Sequence, residues 1–231
     1  MKKLLTISLI LIFGLTAFAQ NSNVIVVANE TPPSQDYNLF YVGAEAGVSS
    51  INNLSIDEGR SISPLTGFEI SPVLGFRPFA NTNIAFELNV MIDSLEYISY
   101  DSGIQATDVI FYTRAITPQF LAVYTFGGGN VRPFAGLGMG ANFNALAIEA
   151  KEIASDGTLE TVINNYDVST SFSMVVKSGV KISIPDSNFD VYALCRYNVN
   201  MPNEIKFDNS TIKTTMNASN LAAAIGVTYN F

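Results

Sequence analysis

Apolar and polar residues alternate along most of the chain after residue 38, which is the period of a β-strand with two different faces. The last eleven residues show the pattern most clearly, because every second one is apolar and those between are small or polar. The apolar face comprises Leu221, Ala223, Ile225, Val227, Tyr229 and Phe231. The pattern therefore predicts a C-terminal strand with one wholly apolar face.

The same alternation predicts seven further strands. The segment near 110–126 is the least regular, because Leu121 and Val123 fall on its polar side. With the C-terminal segment, the count is eight. The seven segments lie near 39–50, 67–78, 83–95, 110–126, 131–147, 169–184 and 188–199.

The connections between these segments alternate in length. Three are short and contain turn-forming residues, at 81–83, 127–130 and 185–188. Four are long and polar, and lie roughly at 51–66, 94–108, 149–168 and 200–216. This arrangement predicts an all-β fold, an eight-stranded antiparallel up-and-down transmembrane β-barrel with short periplasmic turns, four longer extracellular loops and both termini in the periplasm.

The N-terminus predicts export. Met1-Lys2-Lys3 precedes an apolar run over 4–15, and Ala17-Phe18-Ala19 supplies a cleavage site before Gln20. We therefore interpret 1–19 as a signal peptide rather than an uncleaved anchor, 20–38 as a flexible periplasmic lead-in, and 39–231 as the barrel domain. No later segment has the 18 or so consecutive apolar residues of a spanning helix, so a closed barrel is the remaining way to pair every backbone group inside a bilayer.

Composition limits the available chemistry. The 231 residues include one Cys, no His and no Trp, which excludes histidine-based catalysis, histidine-ligated zinc and an internal disulfide. Only 12 Lys and Arg residues and a formal charge of −8 argue against nucleic-acid binding. A carboxylate pair such as Glu69 and Glu87 offers acid–base chemistry in principle, and salt bridging is the simpler interpretation. Cys195 falls on the lipid face, where a free thiol behaves as a small apolar group. We predict neither an enzyme nor a cofactor or metal site.

The charged residues of the strands fall mainly on the polar face. The strands and short turns carry six acidic and six basic groups, whereas the excess of negative charge belongs to the lead-in and the long connections. A charge on the lipid side costs about 2–4 kcal/mol near the midplane for Arg or Lys, and a lumen avoids that cost. Arg114 is the exception by parity and is placed at the outer interface. The predicted lumen charge network comprises Glu45, Glu69, Arg77, Glu87, Asp93, Lys177, Lys181, Asp190 and Arg196.

The lumen of an eight-stranded barrel is just wide enough for side chains to fill it. Two interpretations of the network remain open, namely a salt-bridged plug and a narrow gated ion path whose pairs exchange partners. Aromatic residues near the predicted strand ends are candidates for interfacial girdles. These are Tyr37, Tyr41, Tyr97, Tyr112, Tyr124, Tyr197, Tyr229 and Phe231.

Three sequence features carry a family resemblance. They are Ala17-Phe18-Ala19-Gln20, Arg132-Pro133-Phe134-Ala135-Gly136-Leu137-Gly138 and Val227-Thr228-Tyr229-Asn230-Phe231. With them, the region from about Leu39 to Phe231 resembles the small outer-membrane β-barrels of Bacteroidetes, the OmpA/OmpX-like and PorT-like group of Gram-negative bacteria. The alternate apolar positions Ile225, Val227, Tyr229 and Phe231 resemble a C-terminal assembly signal.

The resemblance implies insertion by the barrel-assembly machinery and contact with outer-membrane lipids and lipopolysaccharide. We therefore expect an integral protein of the cell outer membrane with a structural or surface-interaction role and a plugged, salt-bridged lumen. The main alternative is a narrow gated porin-like channel. Two others are a partner of a secretion or assembly machinery, and a soluble exported barrel that binds lipid and has its apolar face inward.

Overall fold

The computed structural model describes residues 39–51, 54–56, 60–62, 65–79, 83–99, 109–153, 159–206, 213–217 and 219–231. The predicted signal peptide and lead-in lie outside these residues. Eight longer strands and five shorter ones follow each other along the chain. The longer strands are β1 (Phe40–Ile51), β4 (Leu65–Phe76), β5 (Ile84–Ser99), β6 (Val109–Thr125), β7 (Val131–Ile153), β9 (Ser171–Ser183), β10 (Phe189–Asn200) and β13 (Asn220–Asn230). The shorter strands are β2 (Leu54–Ile56), β3 (Arg60–Ile62), β8 (Leu159–Val168), β11 (Asn203–Lys206) and β12 (Lys213–Asn217).

The eight longer strands form a closed antiparallel barrel, as predicted. Each pairs with the neighbour before and after it, and the barrel closes where β1 pairs with β13, from Tyr41 opposite Asn230 to Ile51 opposite Asn220. Closure leaves no unpaired edge, which is the condition for a sheet inside hydrocarbon. Within the described residues, no helix has the length and apolar character needed to cross a bilayer.

The two ends of the barrel differ. The three short connections, the start of β1 and the end of β13 lie at one end of the barrel, which we call the turn end. At the opposite end, which we call the loop end, the ladder continues beyond the barrel. There β7 leaves β9 after Asn142 pairs with Ser171, and pairs with β8 from Ala145 opposite Asp167 onward. The sheet then continues through β11, β12, β2 and β3.

These additional strands lie within three of the four long connections, where the sequence pattern predicted no strand. The segments 51–66, 149–168 and 200–216 are not simply irregular loops, because β2, β3, β8, β11 and β12 lie within them. Strand β7 also runs to Ile153 rather than ending near 147. Extending the ladder satisfies backbone N–H and C=O groups that a long loop would leave to water. The apolar–polar pattern is weak here, so the sequence alone did not reveal it.

The barrel wall has an apolar outer face and a largely polar inner face. Outward residues include Phe68, Met139 and Ile225, with 75%, 68% and 69% of their surface exposed. Inward positions hold carboxylates, amides and basic groups that are almost completely buried. Leu121 and Val123 do face the lumen, as their parity predicted. This orientation is the reverse of the soluble barrel with an apolar interior.

Aromatic rings gather on the outer face near the turn end. Phe40 contacts Phe76 with ring centroids 5.1 Å apart, and Tyr229 lies 5.0 Å from both Phe189 and Phe231. Tyr124 similarly contacts Phe126. Of the predicted girdle residues, Tyr124, Tyr229 and Phe231 belong to this group of rings. Tyr37 lies outside the described residues, and Tyr41 faces the lumen and is 1% exposed. The parity that Tyr41 shares with Glu45 puts it inside, so its assignment to the girdle was wrong.

Candidate functional site

Lys177 stands at the centre of the lumen and joins three strands. It comes from β9, and its Nζ donates to Glu45 Oε1 on β1 at 2.5 Å and to Glu87 Oε2 on β5 at 2.7 Å. Strand β9 is three strands away from β1 in one direction and from β5 in the other. The ammonium group and both carboxylates are almost fully buried. This ion pair therefore bridges opposite walls of the barrel.

Arg196 makes a second bridge beside the first. From β10 its Nη2 donates to Glu69 Oε1 on β4 at 2.5 Å, and its Nη1 lies 3.2 Å from Glu45 Oε2. Glu45 is consequently shared between Arg196 and Lys177. We call Glu45, Glu69, Glu87, Lys177 and Arg196 the central cluster. Burying such charges is costly, and mutual pairing with good hydrogen bonds offsets that cost.

Two tyrosines hold the carboxylates of the central cluster from the turn-end side. Tyr41 donates its hydroxyl to Glu87 Oε1 at 2.8 Å, and Tyr192 donates to Glu45 Oε1 at 3.1 Å. Each ring lies against a glycine directly opposite in the neighbouring strand: Tyr41 against Gly75, and Tyr192 against Gly226. A Cβ on Gly75 would lie 1.9 Å from the Tyr41 ring, and one on Gly226 would lie 2.3 Å from the Tyr192 ring. Only a residue without a side chain leaves room for these rings.

A second group of charges lies at the turn end. Asp190 accepts hydrogen bonds from Ser183 Oγ at 2.5 Å and Asn230 Nδ2 at 3.1 Å, and it lies 3.5 Å from Arg132 Nη2. Arg132 also donates to Ser183, and Arg77 donates to Asn230 Oδ1 at 2.9 Å.

Lys181, between this turn-end group and the central cluster, contacts aromatic rings instead of a carboxylate. Its Nζ lies 5.1 Å from the Tyr41 ring centroid, 5.6 Å from that of Tyr192 and 6.0 Å from that of Phe134. These distances are those of cation–π contacts.

Amide side chains occupy the loop-end half of the lumen. Gln119 Nε2 donates to Asn198 Oδ1, Asn198 Nδ2 to Asn220 Oδ1, and Asn220 Nδ2 to Asp93 Oδ2, at 3.2, 2.6 and 3.3 Å. Arg196 Nη1 donates to Gln119 Oε1 at 3.5 Å, so the chain begins at the central cluster. We call Gln119, Asn198 and Asn220 the amide chain. It connects the central cluster to Asp93.

Asp93 borders a small recess in the loop-end half of the lumen. Its free volume is about 10 Å³, roughly the space of one water molecule. Asp93 Oδ1 accepts a hydrogen bond from the Ala115 backbone N–H at 3.0 Å. Among the described residues, no basic side chain lies within ion-pair distance of this carboxylate.

An apolar sector completes the lining of the lumen. Leu121, Val123, Phe134, Val175 and Leu194 form one buried cluster with Tyr192 and Ala224. They occupy β6, β7, β9, β10 and β13, whereas the carboxylates of the central cluster come from β1, β4 and β5. The lining of the lumen therefore has two kinds of surface, one apolar and one ionic.

All nine residues of the predicted charge network point into the barrel, but they do not form one network. Five make the central cluster, and Arg77, Lys181 and Asp190 lie towards the turn end. Asp93 lies towards the loop end and is joined to the cluster through the amide chain rather than by an ion pair. Glu69 and Glu87 bond to different basic partners, which does not favour the acid–base pair.

Several lumen residues were missed by the sequence analysis. Arg132 and Phe134 share the parity of Gly136, so extending the polar face of that strand by two positions would have found them. The alternation did put Gln119 and Asn198 on the polar faces of their strands. It could not show that these amides bond to each other, because that depends on the register of the strands.

The remaining candidate residues lie on the outer face. Arg114 and Cys195 are exposed there, in agreement with their predicted orientation. Ile225, Val227 and Phe231 also face outward at the end of β13, and their reading as an assembly signal stays a prediction. In the described part of the chain, no group of three or more His, Cys, Asp or Glu residues has a geometry that could hold a metal ion.

A closed barrel with an apolar outer face, a largely polar lumen and an aromatic belt is the architecture of bacterial outer-membrane barrels. A model of the OmpW family matches residues 40–231, and the chain belongs to that family. It is accordingly an outer-membrane β-barrel protein. No curated protein matches the chain by sequence. The narrower grouping with OmpA/OmpX-like and PorT-like barrels, and the Bacteroidetes origin, stay predictions.

Solved structures of outer-membrane barrels resemble the chain in fold. The outer-membrane protein OprG from Pseudomonas aeruginosa is 13% identical, with a TM-score of 0.51 over 84% of this chain and 97% of that one. Neisserial surface protein A is 21% identical, with a TM-score of 0.44 over 83% and 97%. The outer-membrane protease OmpT from Escherichia coli is 8% identical, with a TM-score of 0.41 over 85% and 98%. The fold by itself decides nothing about catalysis.

Proposed function

We propose that this outer-membrane barrel is plugged and that its role is structural or lies in surface interactions of its loop-end segments. The observation that supports the plug is the pair of bridges made by Lys177 and Arg196. Both cross the lumen between opposite walls, and their charged groups are almost completely removed from solvent. The apolar sector and the amide chain fill much of the space that the bridges leave. A continuous water path would require these contacts to separate.

Single-channel recording tests this proposal. The folded protein, verified by heat-modifiable migration on a gel, is inserted into planar bilayers, and the wild-type barrel is expected to show no conductance steps. The variant carrying both Lys177→Ala and Arg196→Ala is expected to conduct, because it removes both bridges. Arg114→Ala is the matched control, since it removes a basic residue from the outer face. Conductance by the wild type would contradict the plug, and so would silence of the folded double variant.

One observation favours a narrow gated channel as a second candidate. Glu45 lies between Lys177 and Arg196 and contacts both. If Glu45 separates from one of these basic groups, it keeps the other, and the released group keeps its second carboxylate, which is Glu87 for Lys177 and Glu69 for Arg196. Partner exchange of this kind would open a path without leaving a charge unpaired. The wild-type recording distinguishes the two candidates, because a gated path gives voltage-dependent openings that disappear in Glu45→Gln.

The turn end is proposed to face the periplasm and the loop end the cell exterior. The short turns and the belt of Phe and Tyr residues at the turn end support this orientation. Export by the signal peptide 1–19, recognition of the Phe231 terminus by the barrel-assembly machinery, and contact of the outer face with lipids and lipopolysaccharide belong to the same proposal.

Labelling of intact cells with a membrane-impermeant maleimide tests the orientation. In a Cys195→Ser background, Ser210→Cys in the last long connection is expected to react, and Ser187→Cys in the last short turn is expected to react only after lysis. The reverse pattern would place the loop end in the periplasm.

A further inference from the structure

Asp93 carries a negative charge that the ion pairs of the plug do not balance. Of the lumen carboxylates that the structure describes, Glu45, Glu69, Glu87 and Asp190 each lie within ion-pair distance of a basic group. Asp93 has no such partner among the described residues, although it is only 4% exposed. A buried carboxylate in this position is costly, and a positive charge in contact with it would offset much of the cost.

The charges around Asp93 do not supply that positive charge. The central cluster contains three glutamates and two basic residues, so it has an excess of one negative charge. Lys181 and the arginines of the turn-end group lie on the far side of this cluster. Within the described lumen, the half that faces the loop end is therefore negative, which favours a cation there.

The hydrogen bonds to Asp93 leave part of its carboxylate available. The Ala115 N–H donates to Oδ1 and Asn220 Nδ2 donates to Oδ2. Each oxygen of an ionised carboxylate has a second lone pair. Since Asp93 lines the recess, a cation in the recess can contact these positions.

The recess has the size of one water molecule. Its free volume of about 10 Å³ is too small for an organic cation or for an ion that keeps its water shell. A potassium ion without its water shell has nearly the diameter of a water molecule and fits this space. Asn144 and Asn200, which also line the recess, are only partly buried, so an ion can enter from the solvent at the loop end.

Most of the lining offers oxygen atoms that can replace the water shell of such an ion. Seven of the eleven lining residues carry a side-chain oxygen. Potassium is held mainly by neutral oxygens of this kind, so it does not need a group of several carboxylates. The polar residues besides Asp93 are Thr113, Thr117, Asn142, Asn144, Asn200 and Asn220.

We propose that the recess binds one potassium ion without its water shell, held by the carboxylate of Asp93 and by the amide and hydroxyl oxygens around it. One carboxylate matches one positive charge. A divalent cation usually requires several carboxylates or keeps several waters, and the recess provides neither the charge nor the space. Sodium is smaller than the space, so the surrounding oxygens would have to move inward to reach it, and it should bind more weakly.

The amide chain holds the site in one arrangement. Every amide of the chain donates in the direction of Asp93 and accepts from the side of Arg196, so each link orients the next. A site whose polar groups are already oriented loses less entropy when it binds. The site therefore depends on the central cluster for its shape, but not on whether the lumen conducts.

Thermal unfolding of the folded full-length barrel tests the proposal, at about pH 8 where a free carboxylate is ionised. Circular dichroism follows the loss of β-sheet in a non-ionic detergent, because potassium precipitates dodecyl sulfate. The midpoint in potassium chloride is compared with that in tetramethylammonium chloride of equal ionic strength, whose cation is too large for the recess. We expect a saturable rise on the order of 3 °C once potassium exceeds its Kd about tenfold, and a smaller rise with sodium.

Three variants locate the effect. Asp93→Asn keeps the shape of the recess and removes its charge, and it should abolish the rise. Ala115→Val keeps the charge and fills the recess, and it should abolish the rise as well, which preserves the test if one of the two variants does not fold. Glu96→Gln makes a corresponding charge change three residues further along β5, on the outer face, and should respond like the wild type.

Crystals soaked in thallium(I) nitrate locate the ion directly, because thallium(I) has a size and charge close to those of potassium and scatters anomalously. An anomalous difference peak in contact with the carboxylate of Asp93 is expected in the wild type. The same soak of Asp93→Asn crystals should give no peak at this position.

Five results would overturn the proposal. They are an absent or unsaturable response of the wild type to potassium, an unchanged response of folded Asp93→Asn or Ala115→Val, loss of the response in Glu96→Gln, equal midpoints in potassium and tetramethylammonium, and wild-type crystals without a thallium peak at Asp93. A recess that holds only water, or a carboxyl group that remains protonated, would give equal midpoints in both salts. None of these results depends on the bilayer recording, so a conducting wild type would remove the plug and leave this site standing.

Discussion

The middle of the lumen and its loop-end half are both buried and polar, but they solve the burial of charge in different ways. In the middle, Lys177 and Arg196 face three glutamates, and each charge has an opposite partner across the barrel. Towards the loop end, the partners of Asp93 among the described residues are an amide and a backbone N–H. Removing one partner should therefore be severe in the first region and mild in the second. The comparison separates the contribution of paired charge from that of neutral hydrogen bonds within one protein.

Arg196→Ala is expected to have the largest effect. It leaves Glu69 buried without a basic partner, and breaking a buried pair in this way costs about 3–5 kcal/mol of the free energy of unfolding. Urea unfolding of the folded barrel in lipid vesicles measures the change, and the heat-modification temperature should fall with it. Arg114→Ala, which removes an exposed guanidinium, should stay within about 0.5 kcal/mol of the wild type. Equal effects of the two substitutions would mean that the central cluster adds nothing to stability.

Lys177→Met should rank second, at about 2–4 kcal/mol. Its neighbours are better protected than Glu69, because Glu45 retains Arg196 and Tyr192, and Glu87 retains the hydroxyl of Tyr41. Adding Glu87→Gln to Lys177→Met should recover part of the loss, since it removes the charge that was left alone. A double variant whose loss equals the sum of the two single losses would contradict the coupling.

Asn198→Ala breaks the amide chain at its middle link and should cost about 1–3 kcal/mol. The loss of stability arises because Gln119 and Asn220 each lose a hydrogen-bond partner, while the charge of the lumen does not change. Asn83→Ala, at an exposed turn position, is the matched amide control and should be nearly neutral. A loss as large as that of Arg196→Ala would show that the chain, rather than the ion pairs, carries the stability of the lumen.

Asp93→Asn should have the smallest effect and the opposite sign. The substitution removes an unpaired buried charge and keeps an acceptor for the Ala115 N–H, but it turns an NH2 group towards the donating Asn220 Nδ2 and loses that hydrogen bond. The first effect should be the larger, so stability should rise by less than about 1 kcal/mol. Glu69→Gln, the corresponding change in the middle of the lumen, should instead lower stability because it leaves Arg196 with a weaker partner. If both substitutions change stability in the same direction and by similar amounts, the distinction between the two regions fails.

The strands of the barrel could be predicted because a wall between lipid and a polar lumen requires an inside–outside alternation that survives in the sequence. That alternation put Glu45 and Arg196 inside, and even Leu121 and Val123 on the correct face. It could not show that Lys177 meets residues 132 and 90 positions away, because these contacts depend on the stagger of the strands around the barrel. The strands beyond the barrel were missed for a related reason, since a ladder outside the bilayer imposes no strict alternation.

The two tyrosine–glycine pairs restrict which substitutions the chain can accept at positions far apart in the sequence. Tyr41 and Tyr192 reach Glu87 and Glu45 only because Gly75 and Gly226 leave the facing strand bare. A side chain gained at Gly75 would expel the ring of Tyr41 and remove a donor from Glu87, although Gly75 itself touches no charge. Relatives of this chain should therefore exchange these residues in pairs, a bulkier residue at the glycine position accompanying a smaller one at the tyrosine position. The hydrogen bonding of the buried carboxylates therefore depends partly on positions that carry no side chain.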